Sequence, residues 1–243
     1  MTRGSGRRAR RPARPIERGS RKPPPKAPSP SRPATAREPG SVGDRTGVFR
    51  LGVVPGTTPG TWISRWRERL PGVELQLVPV EAREAREILD ARSADAVLAR
   101  LPLQADGLHV IRLYDEVPVV VFDKASHLAA ADELRAIDLE GQVRIVPADD
   151  VLPGLELPGT VAPSFPSLAT TADAIETVAA GVGIVVVPQS LARLHHRRDT
   201  DYRPLADGPV STVALAWIAE QTTPDVEAFV GIVRGRTARS SRA

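Results

Sequence analysis

Cysteine is absent from all 243 residues, which excludes disulfides, thiolate metal sites and cysteine nucleophiles. Large aromatics are scarce, with three Trp, two Tyr and four Phe. No stretch approaches the ~18 consecutive apolar residues that a membrane-crossing helix needs. The basic N-terminus is followed by no apolar segment, so it does not read as an export signal, and a cytoplasmic protein is expected. Nucleophile-elbow, phosphate-loop and dinucleotide fingerprints are missing as well, so no enzymatic role is expected. His195 and His196 are adjacent; on a helix they diverge by about 100° and cannot close on one ion. His109 and His127 have no acidic partner at ligand spacing. Neither a metal nor another cofactor is expected. Asp149–Asp150 reads as loop solvation rather than a catalytic dyad.

What is present is a segregation of charge. Residues 1–47 carry 13 Lys/Arg against 3 Asp/Glu, whereas 48–233 carry 16 against 26. Residues 234–243 add four arginines and no acid. The foldable part is therefore acidic, and a polyanion would be attracted to the tails only. With nine prolines and almost no large apolar residues, residues 1–47 read as a disordered basic tail. Its clusters are Arg7–Arg8, Arg10–Arg11 and Arg21–Lys22. Two readings stand for them: a solvated face, or a non-specific, salt-sensitive grip on DNA phosphates.

From Val48 onward, strand and helix patterns alternate. Residues 49–54 alternate as a strand, and Thr58–Pro59 reads as an N-cap with proline at the first helical position. Trp62, Ile63, Trp66 and Leu70 follow at helical spacing. Strands are expected at 73–78, 95–100, 108–113, 117–123, 143–147, 183–187 and 212–219. The strand at 117–123 is apolar enough to be buried on both faces. Helices are expected over 81–91, from Thr170 to Gly181, from Pro188 to Leu194, and after a Thr223–Pro224 cap. The opening β-α-β-α-β order is the grammar of a parallel sheet.

Four segments, in this order and spacing, carry a family resemblance: FRLGVVPGTTPG leading to RLPGVELQLV, residues 94–129, AIETVAAGVGIVVVPQSLARL (174–194), and residues 202–234. They resemble the effector-binding (substrate-binding) domain of LysR-type transcriptional regulators. The resemblance implies an α/β fold of two lobes, like type 2 periplasmic binding proteins. Lobe I would combine about 48–122 with 188–233, and lobe II would be about 123–187. Crossovers near Val121–Lys124 and Val186–Gln189 would form the hinge. Family members carry a winged helix-turn-helix before this domain, a pattern that residues 1–47 do not show.

In open α/β sheets, ligands sit outside the carboxyl ends of strands, beside helix N-termini. The loop Pro55, Gly56, Thr57, Thr58 occupies that place after the first strand. Arg100, Leu101 and Pro102 follow the third strand, where an arginine could take a carboxylate or pair with an acid at the hinge. Ser167, Thr170 and Thr171 precede a helix and would face the first loop across a cleft, although capping accounts for one threonine. The resemblance implies a sensor for a small organic acid or aromatic effector, working through ligand-dependent lobe closure. Such a domain would act as a homodimer or as a heterodimer with a LysR-type regulator. The competing reading is an interaction module that pairs with or antagonises full-length LysR-type regulators, with only non-specific DNA binding by its basic tails.

Overall fold

The computed structural model describes residues 47–235. The tail residues Arg7, Arg8, Arg10, Arg11, Arg21 and Lys22 lie outside that range, so the expectation of a disordered basic tail falls outside the described residues. The elements are β1 (Gly47–Val53), α1 (Gly60–Arg69), β2 (Val73–Pro79), α2 (Ala85–Asp90), β3 (Ala96–Arg100), β4 (Leu108–Glu116), β5 (Pro118–Asp123), β6 (Arg144–Ile145), α3 (Thr171–Ala179), β7 (Ile184–Pro188), α4 (Gln189–Leu194), β8 (Thr200–Pro204), β9 (Ser211–Ile218) and α5 (Pro224–Val233). Among the described residues, no helix is long and apolar enough to cross a membrane.

The strands form two sheets, ordered β2-β1-β3-β9-β4 and β6-β7-β5-β8. Both are mixed rather than parallel. β1 runs parallel to β2 and β3, but β9 returns antiparallel between β3 and β4. In the second sheet β6 and β7 are parallel, while β5 is antiparallel to β7 and β8. This moves the lobe boundaries expected from sequence. All of β5, together with β7, belongs to the second sheet, α4 packs on those two strands, and β8 pairs with β5. The chain therefore crosses between sheets around Glu116–Pro118 and again between Leu205 and Ser211, not near Val121–Lys124 and Val186–Gln189.

Each sheet buries both faces, which is why its central strands read as continuous apolar runs. β3 and β7 are buried throughout, and β5 is buried up to its last residue. On one face of the first sheet, Phe49, Leu51, Trp66, Leu215, Phe229 and Ile232 pack with α1 and α5. Opposite them, Val97, Ala99 and Ala216 meet Ala85 and Leu89 of α2. In the second sheet, Val119, Val121, Val185 and Val187 pack against Ile175, Val178 and Leu191 of α3 and α4. Its other face holds Val120, Phe122, Ile184 and Val186 under the loops that carry Leu134, Leu139 and Leu205.

Capping follows the expected chemistry at two helices. Thr170 accepts from the Asp173 N–H at 3.1 Å at the start of α3, and Thr223 from the Val226 N–H at 3.2 Å at the start of α5. At α1 it does not: Pro59 is the N-cap, with no side-chain cap bond, so Thr58 is left outside the helix.

Trp66 is the keystone of the first core. It is fully buried, stacks on Phe49 with ring centroids 4.7 Å apart, and donates its indole N–H to the Val73 carbonyl at 2.9 Å. Trp66→Ala should cost about 3–5 kcal/mol of unfolding free energy, read from urea denaturation. Trp62, which is only half-buried, should cost clearly less when truncated; equal losses would contradict this packing.

Candidate functional site

Where the two sheets meet, a cleft of about 520 Å3 opens between the β1–α1 loop, the end of β4 and α4. The first lobe contributes Gly56, Thr57 and Thr58, the crossover contributes Tyr114 to Val117, and the second lobe contributes Gln189, Ser190, Arg193 and Leu194. The loop lies at the carboxyl end of β1, where the backbone leaves the sheet. Val54 N–H still bonds the Leu98 carbonyl of β3, and Thr57 closes a turn by donating both its N–H and its hydroxyl to the Val54 carbonyl. A slip in the β4–β9 register between Arg112 and Tyr114 displaces the end of β4, as bulges do at sheet rims. Tyr114 and Thr58 then line the same cleft. Burial, then the nearby Glu116 carboxylate, push the Tyr114 phenol above its ordinary pKa.

The charges in this region largely cancel. Arg100 is 5% exposed and lies over the chain's own Glu116, with Nη1 donating to Oε2 at 2.5 Å. The same guanidinium donates to Ser211 Oγ at 3.0 Å, to the Pro55 carbonyl at 3.2 Å and to Ser190 Oγ at 3.0 Å. Arg100 thus forms an ion pair with Glu116 next to the crossover. Its Nε is buried without a hydrogen-bond partner. Asp115 is engaged by Thr212 at 2.5 Å and by Arg112 at 3.3 Å. Arg193 is different. It is exposed, its side chain makes no ion pair among the described residues, and its one side-chain hydrogen bond there is a long contact of Nε with the Tyr202 hydroxyl at 3.4 Å.

Of the site residues expected from sequence, the structure brings Gly56, Thr57 and Thr58 into the cleft, with Pro55 just behind as a carbonyl acceptor. Leu101 and Pro102, joined by a cis peptide, continue from Arg100 without lining it. The second-lobe residues lie elsewhere. Thr170 caps α3, and Thr171 is 3% exposed and donates to Asp149 at 2.9 Å. Ser167 donates to the Val146 carbonyl and borders a separate cavity of about 400 Å3 beside Arg144 and Val161. Burial lowers the pKa of the Arg144 guanidinium there. Sequence reasoning missed Tyr114, Glu116, Ser190 and Arg193. Helical phase on α4 could have flagged Ser190 and Arg193, which lie three residues apart and hence on one face.

Two α/β lobes joined by two crossovers, with a polar cleft between them, define the two-lobed binding-protein class. Within that class, the chain belongs to the LysR substrate binding domain family, whose model matches residues 43–238. It is 28% identical over 184 residues to the Hca operon transcriptional activator HcaR of Escherichia coli strain K12, covering 71% of this chain and 61% of HcaR. The chain thus spans about three-fifths of the length of that relative. The oxidised form of OxyR superposes with a TM-score of 0.65 at 20% identity, over 81% of this chain and 97% of that one. The BenM effector binding domain with its effector benzoate gives 0.65 at 18% identity, over 81% and 95%. At these identities the two structures establish the shared fold.

The Thr212 hydrogen bond, against a smaller opposing effect of burial, and then Arg112 hold the Asp115 carboxyl below its ordinary pKa. A carboxyl lowered in the folded state stabilises the fold above its unfolded value of about 3.9, and that stabilisation is lost as pH falls through the folded value. Thr212→Val should therefore flatten the fall in melting temperature on acidification below about pH 4. An acid limb unchanged from wild type would contradict the assignment.

Proposed function

We propose that this domain is the effector-sensing part of a LysR-type transcriptional regulator, and that it binds a small organic anion in the interlobe cleft. The observation that carries the reading is the make-up of that cleft. Thr57 and Thr58 on one lobe face Arg193 on the other, with the apolar surfaces of Val117 and Leu194 and the Tyr114 ring among the walls. Because Thr58 caps no helix, its hydroxyl is not consumed by α1. Because Glu116 satisfies Arg100, the charge offered to a ligand comes from Arg193. A molecule with a carboxylate at one end and a compact apolar or aromatic body fits this distribution. A ligand touching both lobes favours the state in which they are closer, and that differential affinity is what a sensor requires. A thiol-based redox sensor is ruled out for these residues, since the chain has no cysteine. Dimerisation with a second copy or with a full-length regulator, and DNA contact through the basic tails, belong to the same proposal.

The test is thermal unfolding of the chain with a panel of small carboxylates, each paired with its neutral amide. At 100-fold excess over Kd, a true ligand adds about 2.7 kcal/mol, or roughly 5–10 °C in Tm for a domain of this size. The acids should shift Tm and the amides should not. Arg193→Ala should weaken binding by about tenfold or more, the typical worth of a hydrogen bond to a charged group. Thr58→Val should weaken it too. Shifts of equal size for acids and amides, or shifts untouched by both variants, would overturn the proposal.

A further inference from the structure

Five segments distant in sequence meet in one hydrogen-bonded knot at the back of the cleft. Arg100 ends β3, Glu116 ends β4, Ser211 begins β9, Pro55 begins the β1–α1 loop, and Ser190 lies in the first turn of α4. Four of the five belong to the first sheet, its loop or the crossover; Ser190 alone is carried by an element packed on the second sheet. Its hydroxyl works in both directions. It accepts from Arg100 Nη2 at 3.0 Å and donates to Glu116 Oε2 at 2.9 Å. The same Nη2 also donates to the Pro55 carbonyl at 3.2 Å. Gly56 lies against the knot with φ +84°. A Cβ there would fall 2.6 Å from Ser190 Oγ and 2.9 Å from Arg100 Nη2, so the loop is seated as closely as a residue without a side chain allows.

We propose that Ser190 couples the loop Pro55–Thr58 to the second lobe, so that occupancy of the loop is transmitted to α4. The guanidinium is a planar fork whose donors point in fixed directions. Nη2 carries two N–H groups, one on the loop carbonyl and one on Ser190, and Nη1 is held by Glu116 and Ser211. Moving the loop carbonyl turns or releases the fork, and the hydrogen bond to Ser190 must follow. The knot is buried, with Arg100 and Glu116 side chains 3% and 12% exposed, so water does not replace a broken bond freely. The proposal rests on reading the cleft as the ligand site, but the coupling itself is a property of the unliganded chain.

Hydrogen–deuterium exchange of the unliganded full chain, wild type against Ser190→Ala, tests it. The expected result is exchange about tenfold faster, the worth of one such hydrogen bond, in peptides covering both the 54–60 loop and 189–196. Peptides from β3 and β9 should keep their wild-type rates. Ser190→Thr, which keeps the hydroxyl, should return both segments towards wild type. Faster exchange confined to α4, faster exchange spread equally over the core strands, or no change would each overturn the coupling. Since no ligand is used, this outcome is independent of whether the carboxylate panel binds.

Discussion

The buried ion pair of Arg100 with Glu116 is the constraint around which the back of the cleft is assembled. Two charges withdrawn from water are tolerated only when each is matched and the remaining donors find acceptors. Here that requirement forces the ends of β3 and β4, the start of β9, the β1–α1 loop and the first turn of α4 to converge. Removing either charge would strand the other, at a cost of about 3–5 kcal/mol for such a buried pair. The sheets could pack their own helices without this pair.

The pair also bears on the ligand proposed for the cleft. A buried arginine at the carboxyl end of a strand invites a ligand carboxylate, but an internal carboxylate already lies on it, and the hydroxyls of Ser190 and Ser211 take further donors, leaving only Nε unpartnered. In the proposed reading, recognition is displaced outward, to the half-buried Tyr114, to Thr57 and Thr58, and to the guanidinium of Arg193 on the opposite lobe. Family membership and the cleft then agree on a binding domain.

Most of the fold is legible in the sequence because its signals are local. The apolar runs of β5 and β7, the helical spacing of Trp66 with Leu70, and the Thr223–Pro224 cap each announce their element within a few residues. What fails is long-range. β8 (TDYRP) lacks an apolar run, and its edge position beside β5 is supported by Arg203, which reaches the carbonyls of Ala129 and Ala131 more than 70 residues away. The lobe boundary was misplaced because apolar strands announce burial and not which sheet they join. The site follows the same rule. Gly56, Thr57 and Thr58 come from one loop and can be read as a unit. The partners of Arg100 lie 16, 90 and 111 residues along the chain, so its ion pair leaves no local trace. Thr58 and Thr171 depart from the sequence reading for reasons that only packing reveals: Pro59, not Thr58, is the N-cap of α1, and Asp149 accepts from the Thr171 hydroxyl.

Electron density from crystals grown with the carboxylate that most stabilises the protein would test the central claim most directly. The account predicts a ligand between the Thr58 hydroxyl and the Arg193 guanidinium, with Glu116 still on Arg100. A carboxylate bound beside Arg144 in the second lobe, or on Arg100 with Glu116 displaced, would contradict it.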